Sequence, residues 1–200
     1  MPIRLSVTFN QKDQAKELGA WWFSGEKIWV IPDAIEDINS FFKWLPNEEG
    51  FIIKRPYFIA KSTRYCWKCG HGTPLIALGA KSFYVLEYET EDKPKWTKWE
   101  YPVLFSEIDF LDEEVIKVLK NSYPFFQYVY SNMAKHKYWA NTCVHCQSLQ
   151  GDNYNFMGSD APFAPSSREE ARIKREYLSL EFDYYLIAGY NQNEVYDSIF

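Results

Sequence analysis

Cys66-Trp67-Lys68-Cys69-Gly70 and Cys143-Val144-His145-Cys146 decide how this chain is read, because they hold every cysteine it has. A C-x2-C pair wraps a tight knuckle that aims both thiolates at one ion, and two knuckles complete a tetrahedron. No cysteine is left over, so the paired spacing points to a structural zinc site made by Cys66, Cys69, Cys143 and Cys146. Gly70 and Gly72 suit the sharp turn of the first knuckle. Disulfides would need an oxidising compartment, for which nothing speaks. A redox dithiol needs a single pair at a helix start, and two distant pairs fit it poorly. Four thiolates leave no open coordination position, so zinc here would brace the fold and not catalyse. His71 and His145 flank the ligands. Their expected task is to hydrogen-bond a thiolate or carbonyl in the shell around the metal, although either could stand in as a ligand.

Working outward, 73 residues separate Cys69 from Cys143, too many for a simple ribbon, so a subdomain must be inserted between the knuckles. Residues 73–78 and 82–88 read as strands of a hairpin turning at Gly79-Ala80-Lys81. A polar turn over 90–95 and a strand over 96–105 follow. Residues 112–119 read as a short helix with Val115, Ile116 and Leu119 inward, and 125–130 and 137–142 as further strands. Residues 147–165 read as a long loop. Ser167 with Glu170 forms a capping box that starts a helix over 168–180, and 182–190 reads as a last strand before a tail.

The N-terminal stretch is a separate small unit. Ile3, Leu5, Val7 and Phe9 alternate with polar residues as in a half-buried strand, and residues 11–18 read as a helix closed by Gly19. Gly25-Glu26 turns the chain into a second strand over 27–31, and a helix is expected over 33–45. The expected fold is therefore α+β: a strand-helix-strand module over residues 1–50, then a mainly antiparallel zinc-stabilised domain over 51–200. That second domain would be clamped by the split pair of knuckles and carry an acidic C-terminal helix and tail.

The run Lys12-Asp13-x-Ala15-Lys16-x-Leu18-Gly19-Ala20-x-Trp22, followed by Lys27-x-Trp29-Val30-x-Pro32, resembles a small domain of unknown function. That domain is typical of primase-like, helicase-like and polyvalent proteins of plasmids and phages. The resemblance implies a mobile-element, bacterial or phage setting and supplies no catalytic residues. Phe23 departs from the family pattern, which has an acidic residue after the tryptophan. The remainder, on its two C-x2-C pairs, resembles an uncharacterised four-cysteine protein of the zinc-ribbon-like kind.

Composition bounds the function. Of 200 residues 19% are aromatic, which excludes disorder. The net charge of −5 disfavours nucleic acid as the partner of the whole chain. Residues 151–200, with 4 basic and 9 acidic groups, carry the imbalance, so Glu169, Glu170 and Glu176 are candidate contacts for a basic protein. Trp21, Trp96 and Trp99 are candidate exposed contacts, whereas Trp22 and Trp29 are expected in a small core. Lys93, Lys95 and Lys98 beside Trp96 and Trp99 form the best local basic-aromatic cluster, but Glu89, Glu91, Asp92 and Glu100 surround it, so a hairpin rich in cross-strand pairs is the expected reading. No membrane is expected, since no apolar run nears the ~20 residues of a span. Residues 1–6 lack a signal region, so a cytoplasmic location is expected. Phosphate loops, nucleophile elbows, metalloprotease motifs and dinucleotide fingerprints are missing. The expected function is a non-catalytic, zinc-stabilised binding protein, in its sharpest form an immunity or inhibitor protein for a basic, nucleic-acid-directed toxin or enzyme. The alternatives are a nucleic-acid-associated accessory module and an enzyme with an unrecognised site.

Overall fold

A computed structural model of the chain describes residues 2–88, 94–158 and 160–200. Lys93 and most of the polar turn expected over 90–95 lie outside the described residues.

The N-terminal unit builds a three-stranded antiparallel sheet, β1 (Ile3–Leu5), β2 (Trp21–Phe23) and β3 (Ile28–Ile31), in the order β1-β3-β2. Between β1 and β2 lies α1 (Lys12–Glu17), and Gly19 follows with φ 97°, the left-handed turn that ends the helix. The α-helix expected over 33–45 does not form. A 3-10 segment, Asn39–Trp44, takes its place. Ile38, Phe41 and Trp44 are all buried, and a spacing of three puts them on one side of a 3-10 turn.

The core of the molecule is a nine-stranded sheet. It is dominated by the hairpin of β4 (Phe51–Tyr65) and β5 (Gly72–Tyr88), paired from Phe51↔Val85 to Tyr65↔Gly72. The turn expected at Gly79-Ala80-Lys81 is not a turn, because β5 runs straight through it. Gly79 is there for packing: a Cβ would lie 2.4 Å from the Phe58 ring and 2.8 Å from Leu104. The single strand expected over 96–105 is divided into β6 (Pro94–Trp99) and β7 (Val103–Leu111). After β7 come α2 (Glu113–Ser122), β8 (Phe126–Tyr130), β9 (Lys137–Thr142) and β10 (Leu149–Gln150). Then follow α3 (Asp152–Phe156), β11 (Lys174–Tyr177), β12 (Tyr184–Asn191) and α4 (Tyr196–Ile199). Pairings of β4 with β5, β5 with β7, β7 with β12 and β12 with β4 form a closed circuit.

Alternation along β4 explains how that circuit is filled. Phe51, Ile53, Tyr57 and Ile59 enter the main core with Leu78, Phe83, Phe105 and Leu186. Ile52 faces the other way, beneath Leu5, Ile31, Phe41 and Trp44 of the N-terminal unit. Farther along that outward face, Phe58 and Ala60 pack with Phe156, Phe163, Tyr196 and Phe200. The stretch expected as a long loop over 147–165 is thereby anchored by β10, α3 and two buried phenylalanines.

The acidic helix expected over 168–180 is absent. Ser167 Oγ does accept the Glu170 N–H at 3.3 Å, but only one turn follows. The chain then extends as β11 along β4, with Lys174↔Lys61 and Tyr177↔Phe58. Glu176 meets Lys61 Nζ at 2.7 Å and accepts the Tyr123 hydroxyl at 2.9 Å, so it is engaged in this pairing.

Candidate metal centre

Each C-x2-C pair forms the tip of a hairpin. Cys66 follows Tyr65 and the knuckle rejoins the sheet at Gly72, while Cys143 follows Thr142 and rejoins it at Leu149. The two tips are built alike. Cys66 N–H donates to His71 O at 2.8 Å and Gly70 N–H to Cys66 O at 2.9 Å. In the second tip Cys143 N–H donates to Ser148 O at 2.8 Å and Gln147 N–H to Cys143 O at 2.9 Å. The residue after the second cysteine is left-handed in both, with φ 73° at Gly70 and 60° at Gln147. In each tip the backbone N–H two residues past the first cysteine points at its sulfur: Lys68 to Cys66 and His145 to Cys143, both at 3.4 Å.

The tips meet sulfur to sulfur. Cys66 Sγ lies 3.7 Å from Cys146 Sγ, and Cys69 Sγ lies 3.7 Å from Cys143 Sγ. All four ligand atoms lie within 4.8 Å of one another. A disulfide needs about 2.05 Å. Four thiolates around one ion at about 2.3 Å stand about 3.8 Å apart, so these residues fit a tetrahedrally bound metal. Cys66 and Cys143 are buried and the other two half-buried.

Electrostatics favour a cation here. Burial opposes ionisation of Cys66, but the N–H groups of Cys69 and Lys68 outweigh it and bring the thiol down to about 6. Cys146 is lowered too, first by the Ser148 hydroxyl, 3.3 Å from its sulfur. Cys69 is aided by the His71 backbone, yet burial and the other three sulfurs push it up to about 12. Four thiolates cannot all ionise side by side unless a positive ion shares their charge.

Gln150 and Ser148 complete the surroundings, and sequence reading passed over both. Gln150, 1% exposed, donates its amide to Cys66 Sγ at 3.4 Å and to Ser148 O at 2.9 Å. A serine two residues past the last cysteine was the one available signal. His71 and His145 are exposed and stack at 4.9 Å between ring centres, and His145 Nε2 lies 3.2 Å from Gly72 O. The expected carbonyl contact is thus present at His145, bridging one knuckle to the other.

The candidate contact residues are dispersed. Trp21, on β2, is 55% exposed. Trp22, expected in a core, is 50% exposed and meets Trp29 edge-on at 5.7 Å. Trp96 is buried beneath the N-terminal unit and offers no surface. Trp99 is packed among Phe83, Tyr101 and Tyr190, and Lys98 pairs with Glu100 at 2.8 Å, so the stretch is a packed hairpin, as expected, and not a basic-aromatic contact surface. Glu169 and Glu170 stand exposed on the turn before β11. Among the described residues no helix is long and apolar enough to cross a membrane.

No curated protein and no solved structure matches the chain. A family model described as a domain of unknown function, DUF5710, matches residues 3–46. The Lys12–Pro32 stretch that resembles such a domain lies wholly inside that match, so the small unit bearing Trp21 and Trp22 is similar to DUF5710 over residues 3–46.

Proposed function

We propose that Cys66, Cys69, Cys143 and Cys146 hold one structural zinc ion, and that the chain is a non-catalytic binding protein braced by it. The observation that carries this is the four-sulfur cluster of two matched hairpin tips, a set of four thiols among the described residues. Tetrahedral sulfur ligation selects zinc among the common divalent ions, and a filled shell leaves nothing to activate water. The ion ties the β4–β5 tip to the β9–β10 tip, two places far apart in the chain. Cobalt substitution tests the ligand set: the intense visible bands of tetrahedral cobalt–thiolate should appear and then disappear on adding zinc. A featureless spectrum would overturn the assignment.

A basic protein, such as a nucleic-acid-directed toxin or enzyme held inactive, is the partner that the acidic C-terminal quarter favours. Glu169 and Glu170 are free to meet it, whereas Glu176 is committed to Lys61. Reversing Glu169 and Glu170 together should therefore weaken such a complex about 5–30-fold without changing the melting point. An unchanged affinity for a basic partner recovered by pull-down would refute this surface.

A further inference from the structure

Beside the metal centre lies a cleft of about 950 Å³, within the size range of ligand sites. Its wall on one side is the first knuckle and α3; on the other it is the turn joining β8 to β9. Four large side chains on its rim are more than half exposed: Trp67 68%, Tyr130 52%, Met133 65% and Tyr154 53%. The exposed Trp67 indole is held in place. Trp67 donates its ring N–H to Leu149 O at 2.7 Å, leaving the ring outward. Arg64 is fixed as well, donating from Nη1 to Tyr154 O and to Asn155 Oδ1, each at 3.0 Å.

The lining between these rings is mixed: Tyr138 and Leu149 are apolar surface, and Ser148, Gln150, Asp152 and Asn153 bring polar groups. The edge of a heterocycle stacked on these rings would find donors and acceptors beside it. Basic side chains are at hand locally even though the whole chain is acidic. Arg64 and Lys68 line the cleft, and Lys135 and Lys137 are exposed on the flanking turn. Against them stand Glu107 and the buried Asp152, whose Oδ2 is committed to the Glu107 N–H at 2.7 Å, while Asp109 faces His136 at 3.5 Å.

We infer that this cleft binds single-stranded nucleic acid, stacking an unpaired base on Trp67 and Tyr154 while Arg64 and Lys68 meet the phosphates. The inference builds on the zinc-braced binding reading, since the metal fixes the knuckle that carries Trp67. Stacking on such rings is worth about 1–3 kcal/mol per base, and phosphate contacts make binding fall steeply with salt.

The test is fluorescence anisotropy of a labelled twelve-nucleotide oligothymidylate with full-length, zinc-loaded protein, the zinc content being measured on the same sample. Binding at low salt should exceed that of the matching duplex and weaken as salt is raised. Tyr154→Ala and Trp67→Ala should each cost about tenfold, and Trp67→Phe, which keeps a ring, should recover most of the loss. Zinc content and melting point should stay unchanged in Tyr154→Ala. Three results would overturn the inference: no binding by protein holding one zinc, binding lost in Trp21→Ala but not in Tyr154→Ala, or capture of unstructured peptides by the cleft in place of the oligonucleotide. Protein with no zinc at all would instead fault the metal assignment.

Discussion

Gly70, Gln147 and Gly79 show two different demands on a side chain, one of backbone conformation and one of room. Gly70 and Gln147 hold equivalent left-handed positions in the two knuckles, with φ 73° and 60°. Gln147→Gly should therefore stabilise the protein by ~0.5–1 kcal/mol, and Gly70→Ala should destabilise it by about 1 kcal/mol, since open space surrounds it and only backbone strain opposes. Gly79→Ala is a steric problem and should cost about 1–3 kcal/mol, because the Phe58 ring has no room to retreat within the core. Urea midpoints separate the three. Asp152 makes a different prediction. Burial raises its carboxyl to about 7, so between about pH 4 and 7 the folded state holds a proton that the unfolded state has lost. Stability should then fall as pH rises through that window, by at most about 1.4 kcal/mol per pH unit from this group. Asp152→Asn should remove that slope; an unchanged pH profile would show that Asp152 does not cause it. The thiol chemistry was readable from spacing alone, whereas Gln150 was not, since a buried amide on a two-residue strand leaves no periodic trace.

At the scale of elements, periodicity was legible where one face meets water. The helix read over 112–119, inward at Val115 and Leu119, lies within a turn of α2, whereas the strand read over 137–142 matches β9 although all but its first residue are buried. β4 escaped notice for the opposite reason. Its Phe51-Ile52-Ile53 and Tyr57-Phe58-Ile59-Ala60 are buried on both faces, which erases alternation. The segment 168–180 was misread because its capping signal is real but local. Beyond one turn, pairing with the edge of β4 satisfies backbone groups that a helix there would leave exposed to the sheet. The contribution of α4 is likewise tertiary: the Phe200 ring sits 4.5 Å from that of Phe58, and Tyr196 is fully buried. Phe200→Ala should cost about 3 kcal/mol in chemical denaturation, since it uncovers the outer face of the hairpin.

The molecule as a whole is one long hairpin covered on its outer face by two sequence-distant segments and tied at its tip to a second hairpin. The N-terminal unit shares its apolar residues with Ile52, Tyr84, Leu86 and Trp96 of the sheet, and Arg4 reaches Glu114 at 2.7 Å. Its aromatics are accordingly split between that shared core and the exposed Trp21 and Trp22. The brace between the tips holds the two hairpins together, and native mass spectrometry combined with thermal melting reads it out. Purified protein should carry one zinc ion, absent from both Cys66→Ser and Cys143→Ser. With free zinc about a thousandfold above its Kd, the ion contributes ~4 kcal/mol by linkage, so its removal should lower the melting point by about 8–16 °C. A chain that carries no metal, or that melts at the same temperature with and without a chelator, would contradict it.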